Sequence, residues 1–230
     1  MMNHWPGSVK FRAMSSKSMR LAIPVPVSYC YGMYPKSIGI IADSHSRNDH
    51  TRKAIDTLRA KGAECIVHLG DICDSLKPAS LKEVLGLIAG QNVMGVLGNN
   101  EYSLLTDGYS GMLDADSRAY LKQLPFTITI QDWCFTHSVP FPWPAATRRP
   151  LAEFLPFMHT LPYRIVFRGH SHTPAVVEIS PGGSREITPP TQDEIVLDPQ
   201  KAYVVTVGAL ENGAYTFFDT AAYAIRFLTI

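Results

Sequence analysis

Apolar residues in the first hundred positions form short runs that alternate with segments of helical spacing. Three runs have the length of a buried strand and are followed by glycine or aspartate: 37–42, 65–69 and 93–97. The segments between them, 51–61 and 80–89, carry apolar residues on one helical face. This alternation predicts a βαβαβ unit, in which helices cover the faces of a parallel sheet.

The rest of the chain is richer in strand patterns. Residues 116–124 predict a helix that is stopped by Pro125, and the proline-rich segment 141–162 predicts a long loop with a helix around 151–158. Glycines and prolines in 181–190 predict another loop. The segments with a strand pattern are 126–130, 133–137, 164–168, 175–179, 203–207, 215–219 and 224–229. With the βαβ half, these strands predict one α/β domain with two packed sheets.

Composition narrows the class of protein. Of the 230 residues, 46% are apolar and 18% are charged, which suits a folded domain rather than a disordered chain. The net charge of +1 gives no global attraction to nucleic acid or to acidic membranes. The four cysteines are widely separated, which predicts free thiols in a reducing compartment, the cytoplasm. Apolar runs stay too short for a transmembrane helix.

The N-terminal segment differs from the rest. Residues 1–42 contain no acidic residue, whereas several basic residues and serines occur there. Such a composition is found in targeting peptides, but Pro24 and Pro26 interrupt its short apolar run. The interpretation adopted here is a flexible extension over residues 1–36, followed by a single domain over residues 37–230.

Polar residues follow five of the predicted strands at their carboxyl ends. Carboxyl ends of strands in open α/β sheets converge on one crevice, so these residues are expected to meet. Two carboxylates, one amide and four imidazoles are available as ligands: Asp43, His45, Asp71, Asn99, His137, His170 and His172. Taken singly, Gly70-Asp71 could be a turn and His137 an ordinary strand histidine.

Mixed nitrogen and oxygen donors suit Mn, Fe, Ni, Co or Zn better than Ca or Mg. Seven ligands are too many for one such ion and suit two ions that share a carboxylate. Two ions about 3.5–4 Å apart can activate a bridging water for attack on phosphorus. The sequence therefore predicts two divalent transition metal ions, with Mn the expected ion in vitro, and a metal-bound hydroxide as nucleophile.

The same motifs resemble the calcineurin-like metallophosphoesterase superfamily, and in size its small bacterial and archaeal phosphodiesterase branch. The resemblance covers residues 37–230 and implies a four-layer sandwich of two mixed β-sheets flanked by helices. It also implies how the ligands are shared. One metal would be held by Asp43, His45 and His172, the other by Asn99, His137 and His170, with Asp71 bridging them.

Position 100 departs from the family pattern, which has histidine there. The resemblance implies that Asn100 would contact the phosphate as the catalytic-site residue, but an amide supplies no proton at neutral pH. A missing general acid lowers the rate by about 10²–10⁴, and by less when the leaving group is good. Glu101, where the small enzymes usually have aspartate, could orient a ligand. Arg148 could bind phosphate from the proline-rich loop, or form a solvated charge pair with Arg149.

These observations predict a dinuclear metal-dependent phosphohydrolase that cleaves a phosphodiester or an activated phosphomonoester. Its partner is expected to be a small phosphate-ester substrate, with no membrane and no nucleic acid. The alternative is a non-catalytic scaffold of the same fold that binds protein partners, which the asparagine at position 100 favours slightly. Homo-oligomer formation is left open, and so is the substrate, because the predicted loops 104–114 and 141–162 carry no recognisable motif.

Overall fold

The computed structural model describes residues 34–74, 81–106, 109–140, 150–187 and 194–230. Within these ranges the chain forms twelve strands and five α-helices. The strands are β1 Ser37–Ile41, β2 Cys65–His68, β3 Met94–Gly95, β4 Thr127–Ile130, β5 Trp133–Thr136, β6 Ile165–Arg168, β7 Ala175–Ser180, β8 Gly183–Ile187, β9 Ile195–Val196, β10 Ala202–Thr206, β11 Ala214–Asp219 and β12 Ala224–Thr229. The helices are α1 Asn48–Ala60, α2 Leu81–Gly90, α3 Asn99–Thr106, α4 Ala115–Leu121 and α5 Leu155–Met158.

The strands form two mixed sheets of six strands each. The first sheet has the order β3-β2-β1-β11-β12-β9, and the second has the order β4-β5-β6-β10-β7-β8. Strands β1, β2 and β3 pair in parallel, as the βαβ pattern predicted, and β11 adds to β1 in antiparallel orientation. In the second sheet β5, β6 and β10 are parallel, and the outer strands are antiparallel.

The main core lies between the two sheets. Phe135 and Phe167 stack there with ring centroids 5.1 Å apart, and Phe218 from the first sheet reaches Phe167 at 5.2 Å. Helices α1, α2 and α4 pack on the outer face of the first sheet, and α1 buries Ile55 and Leu58 there. Met158 of α5 packs on the outer face of the second sheet. Helix, sheet, sheet and helix therefore form the four predicted layers.

Several sequence predictions need correction. Residues 183–187, expected to be part of a loop, form strand β8, which pairs with β7 at the edge of the second sheet. Its side chains are mostly exposed, so no apolar alternation marks it, and its strand conformation comes from pairing with β7. Helix α3 and a 3₁₀ turn at Tyr109–Met112 occupy much of the region expected to be the loop 104–114.

The bounds of helix α4 agree more closely with the prediction from the sequence. Asp114 caps α4 by accepting a hydrogen bond from the backbone of Ser117, so this helix starts one residue earlier than predicted and ends at Leu121. Residues 1–33 of the predicted extension and residues 141–149 of the predicted long loop lie outside the described residues. Within the described residues, no helix is both long and apolar enough to cross a membrane.

Candidate metal centre

The backbone turns sharply at the strand ends that carry the predicted ligands. Asp43, His45, Asp71, His170 and His172 all have positive φ, between 41° and 70°. Residues with a side chain adopt this left-handed region rarely and at an energetic cost, and such residues cluster at functional sites. These turns let consecutive polar residues leave each strand end and project toward a common point.

Two glycines let the strand ends approach each other closely. A Cβ added to Gly98 would lie 2.1 Å from the backbone nitrogen of Asp71 and 2.3 Å from its Oδ1. A Cβ added to Gly169 would lie 2.5 Å from Oδ2 of Asp43. All three distances are far below van der Waals contact. The glycines of the Gly-Asn and Gly-His motifs therefore make room for the two carboxylates of the site.

The first group of candidate ligands consists of Asp43, His45 and His172, whose ligating atoms lie within 4.8 Å of one another. Nε2 of His172 is 3.5 Å from Oδ1 of Asp43. Oδ1 of Asp43 and Nε2 of His45 are buried, and neither has a hydrogen-bond partner among the described residues. Buried polar atoms are rarely left unsatisfied, so this pair fits a bound cation.

The second group consists of Asp43, Asp71 and His137, again within 4.8 Å. Nε2 of His137 lies 3.5 Å from Oδ1 of Asp71 and 3.2 Å from Nδ1 of His170. Oδ2 of Asp71 also lies 4.0 Å from Nε2 of His45. By proximity, Asp43 belongs to both groups, and Asp71 lies between His45 and His137. The structure thus brings both carboxylates to the middle of the cluster.

Asn99 completes the cluster through an unusual contact. Its Oδ1 lies 2.9 Å from Nε2 of His137, whose Nδ1 donates to the backbone oxygen of Leu69 at 2.8 Å. Burial lowers the pKa of His137, which disfavours its doubly protonated form. With the proton on Nδ1, two acceptor atoms face each other at Nε2 and Oδ1. A cation between them would satisfy both, and all seven predicted ligands therefore lie in one cluster that fits divalent ions.

The electrostatics of the site also favour a cation. Burial, followed by repulsion from Asp43, raises the pKa of Asp71 to about 7. Burial, followed by repulsion from Asp71, raises the pKa of Glu101 to about 7. Burial opposes the charge of Asp43 as well, but His172, His137 and the His170 N–H outweigh it, so the pKa of Asp43 is lowered. Three buried carboxyl groups therefore lie together, an arrangement that bound divalent ions would stabilise.

Glu101 holds the loop that carries Asp71. Its buried carboxylate accepts hydrogen bonds from the backbone N–H groups of Gly98, Asp71, Ile72 and Cys73, at 2.8–3.1 Å. A carboxylate has acceptor sites for four such donors. The predicted orienting role of Glu101 thus has a concrete contact: it fixes the backbone of Asp71 rather than a ligand side chain.

Asn100 lies beside the first group. Its Nδ2 is 3.2 Å from Nδ1 of His45 and donates to the backbone oxygen of Cys73 at 2.9 Å. Its backbone N–H donates to Oδ1 of Asp71 at 2.9 Å. The amide is therefore engaged with the loops around the cluster, and a contact with phosphate stays a prediction. Arg148, the other predicted phosphate contact, lies outside the described residues.

Two residues near the cluster were missed by the sequence analysis. Oε1 of Glu211 lies 2.9 Å from Nδ1 of His172. Arg168 is buried at the end of β6 and donates to the backbone oxygen of Ser138 and the hydroxyl groups of Ser171 and Thr206. The sequence feature that could have pointed to Arg168 is a charged residue directly before the Gly-His-Ser-His motif. The feature that could have pointed to Glu211 is an acid shortly after a predicted strand.

Comparison with solved structures gives the same fold. A metallophosphoesterase from Sphaerobacter thermophilus superposes with a TM-score of 0.63 at 21% identity, covering 84% of this chain and 88% of that one. A predicted diadenosine tetraphosphatase gives 0.56 at 17% identity, covering 86% and 95%. An archaeal phosphodiesterase gives 0.51 at 17% identity, covering 84% and 99%. At these identities the likeness shows the fold alone.

Comparison with family models and curated sequences gives two further results. No curated protein matches the chain significantly. The model of the calcineurin-like phosphoesterase superfamily domain matches residues 37–209, a range that includes every predicted ligand. The match spans well over half of the 230 residues. The chain therefore belongs to the calcineurin-like phosphoesterase superfamily.

Proposed function

We propose that this protein is a dinuclear metal-dependent phosphohydrolase that cleaves a phosphodiester or an activated phosphomonoester. The observation that carries the proposal is that two carboxylates, four imidazoles and one amide oxygen meet at the carboxyl ends of strands from both sheets. Buried atoms left without partners at Asp43 and His45 support it, because a pure scaffold has no use for them.

The ligands divide into two sets in this proposal. Asp43, His45 and His172 would hold one ion, and Asn99, His137 and His170 would hold the other. Asp71 would bridge them, supported by its position between His45 and His137. Mn, Fe, Ni, Co or Zn suits this donor set, and Mn is the ion expected to support activity in vitro. When bound, such ions act as Lewis acids toward the phosphate and lower the pKa of the attacking water.

The chain's own residues prepare the site for this chemistry. Glu101 fixes the backbone around Asp71, and the backbone oxygen of Leu69 orients His137 so that Nε2 presents its lone pair. Asn100 can donate a hydrogen bond to phosphate but cannot protonate a leaving oxygen. Substrates with a good leaving group are therefore expected to react fastest, because they do not need a general acid.

The proposal also covers the residue range of the domain and the cellular compartment of the protein. We propose that residues 37–230 form the phosphoesterase domain and residues 1–36 an extension, supported by a family match that begins at residue 37. Free buried thiols at Cys73 and Cys134 support a reducing compartment, proposed to be the cytoplasm.

Hydrolysis of two chromogenic esters tests the proposal. Purified protein is incubated with p-nitrophenyl phosphate or bis-p-nitrophenyl phosphate, with added Mn²⁺ or Ni²⁺ or after stripping with EDTA. An Asp71→Asn variant is the comparison, because it keeps the size of the side chain and removes the charge. We expect metal-dependent turnover that falls by at least about 10²-fold in the variant, as for loss of a main electrostatic contribution.

The outcomes separate the two candidate functions. Turnover in the wild type that requires metal and Asp71 supports the hydrolase, and the ratio of diester to monoester rates narrows the substrate class. Bound metal without turnover of either ester would favour the scaffold, which the asparagine at position 100 already favours slightly. Failure to bind any divalent ion would overturn the proposal.

A further inference from the structure

Glu211 contacts a candidate metal ligand from a part of the chain that carries no recognisable motif. It lies in the 3₁₀ turn Leu210–Asn212, between β10 and β11, and its Oε1 is 2.9 Å from Nδ1 of His172. The two side chains are about equally exposed, at 32% and 35%. The contact thus lies at the rim of the cluster and within reach of water.

The backbone fixes where this carboxylate lies. The N–H groups of Leu210 and Glu211 donate to the backbone oxygens of Ala42 and Asp43, at 2.8 and 3.0 Å. The turn is therefore attached to the same strand end that carries Asp43. Since the contact of Glu211 with His172 starts from an anchored backbone, it is a built feature of the site rather than a chance meeting of two surface side chains.

The contact determines which nitrogen of His172 can bind a metal. A neutral imidazole carries one proton, and a carboxylate at Nδ1 holds the proton there. Nε2 then presents its lone pair, and it lies 3.5 Å from Oδ1 of Asp43 within the first group of ligands. Carboxylates that hold ligating histidines in this way raise their basicity and fix the ring orientation.

We infer that Glu211 is a positioning residue of the metal centre: it keeps His172 in the Nδ1–H tautomer with Nε2 directed at the metal beside Asp43. The inference rests on the proposed function and adds a residue to it. His172 needs such a partner more than His45 and His137 do, because its side chain is 35% exposed while theirs are 19% and 0% exposed. Packing therefore constrains the ring of His172 less than it constrains theirs.

The first test measures the tautomer of His172 in metal-free protein by long-range ¹H–¹⁵N correlation. Spectra are recorded well above the ordinary imidazole pKa of about 6.5, where the ring is neutral. The wild type is expected to show the proton on Nδ1, and Glu211→Ala a mixture with the Nε2–H form. Glu211→Gln should stay closer to the wild type, because its amide oxygen can still accept from Nδ1.

The second test measures Mn²⁺ and Zn²⁺ affinity of the same proteins by calorimetry. Glu211→Ala is expected to bind metal about 10–100-fold more weakly, the usual effect of removing such a hydrogen-bond partner. Glu194→Gln is the matched control, because Glu194 has a similar exposure of 33% and pairs with Arg226 away from the cluster. It should bind metal as the wild type does.

The two tests separate failure of this inference from failure of the proposed function. If the wild type binds metal and Glu211→Ala keeps both the tautomer and the affinity, Glu211 has no positioning role. An equal loss of affinity in Glu194→Gln would also overturn the inference, since the effect would then be one of surface charge. If the wild type binds no metal, the proposed function is wrong, and Glu211 then has no metal ligand to position.

Discussion

At the scale of single residues, the buried carboxylate of Glu101 fixes several backbone groups of the site. Four backbone N–H groups point at its two oxygens, and three of them belong to the loop that carries Asp71. A hydrogen bond to a charged acceptor contributes more than one between neutral groups, and a buried donor left without a partner costs about 1–3 kcal/mol. Replacing one oxygen of the Glu101 carboxylate by an NH₂ group would place a hydrogen-bond donor opposite a backbone N–H, which is also a donor.

We therefore expect Glu101→Gln to lower the free energy of unfolding by at least about 2 kcal/mol, while preserving the volume of the side chain. Urea unfolding of metal-free protein, followed by circular dichroism, measures the change as a shift in midpoint at constant slope. Glu83→Gln on the exposed face of α2 is the control and should change stability by less than about 0.5 kcal/mol. Equal stabilities of the two variants would contradict the assigned role of Glu101.

The cluster of candidate ligands could be predicted from the sequence because each candidate lies at the end of an apolar run that had to be a buried strand. Glu211 and Arg168 could not, for two different physical reasons. Glu211 reaches His172 only because β11 pairs with β1, and that antiparallel pairing has no local signal. Arg168 ends an apolar strand, where a buried guanidinium is improbable until Ser138, Ser171 and Thr206 are known to satisfy it.

At the scale of elements, buried strands and amphipathic helices were predicted within a few residues, whereas exposed elements were not. Strand β8 exposes most of its residues at a sheet edge, so it lacks the alternation that identifies β7. Helix α3 follows Gly98 directly and begins with two asparagines, which sequence rules assign to a turn. Its first turn is instead held by Glu101, which accepts from the N–H of Gly98.

Helix α4 offers a test of local capping that is independent of the metal centre. Oδ2 of Asp114 accepts from the hydroxyl of Ser117 and Oδ1 accepts from the N–H of Ser117 at 2.9 Å, and these two interactions lower the pKa of Asp114. Asp114→Ala should reduce the free energy of unfolding, whereas Asp114→Asn, whose amide oxygen can still accept from the Ser117 N–H, should keep most of it. Chemical denaturation at neutral pH measures both values.

Asp116→Ala is the matched control for this cap. This change removes an exposed charge from the first turn of the same helix but no capping hydrogen bond. The expected loss in free energy of unfolding is therefore smaller, about 0.3–1 kcal/mol. The higher helix propensity of alanine partly offsets it. The part of the Asp114 contribution that depends on its charge should be lost as pH falls through its folded pKa, because a depressed pKa stabilises the fold only while the carboxylate is charged. A loss in Asp116→Ala as large as in Asp114→Ala would point to the helix dipole instead.

At the scale of the whole molecule, the fold brings the buried acids at the strand ends of the first sheet together with the histidines at the strand ends of the second, and a bound cation would balance the charge of these acids. Asp71 has a pKa raised to about 7 from the ordinary 3.8, first by burial and then by the charge of Asp43. Its protonated form is thus favoured by folding in the metal-free protein. The stabilising effect is complete below the unfolded pKa and is lost as pH rises through the folded pKa.

We therefore expect the difference in free energy of unfolding between metal-free wild type and Asp71→Asn to shift against the wild type as pH rises from about 5 to about 8, by at most about 1.4 kcal/mol per pH unit. The comparison with the variant is necessary because His68 and His137, whose pKa values burial lowers, act in the opposite direction in both proteins. Urea unfolding in EDTA at several pH values measures the difference.

Added Mn²⁺ should then reverse the trend in the wild type alone. An ion that binds only the folded state stabilises it by about 2.7 kcal/mol at a concentration of 100 times its dissociation constant. Binding to a carboxylate competes with protons, so this stabilisation should be larger at pH 8 than at pH 5. A pH-independent effect of Mn²⁺, or one of equal size in Asp71→Asn, would mean that the ion binds elsewhere and that the acids at the strand ends are stabilised by other means.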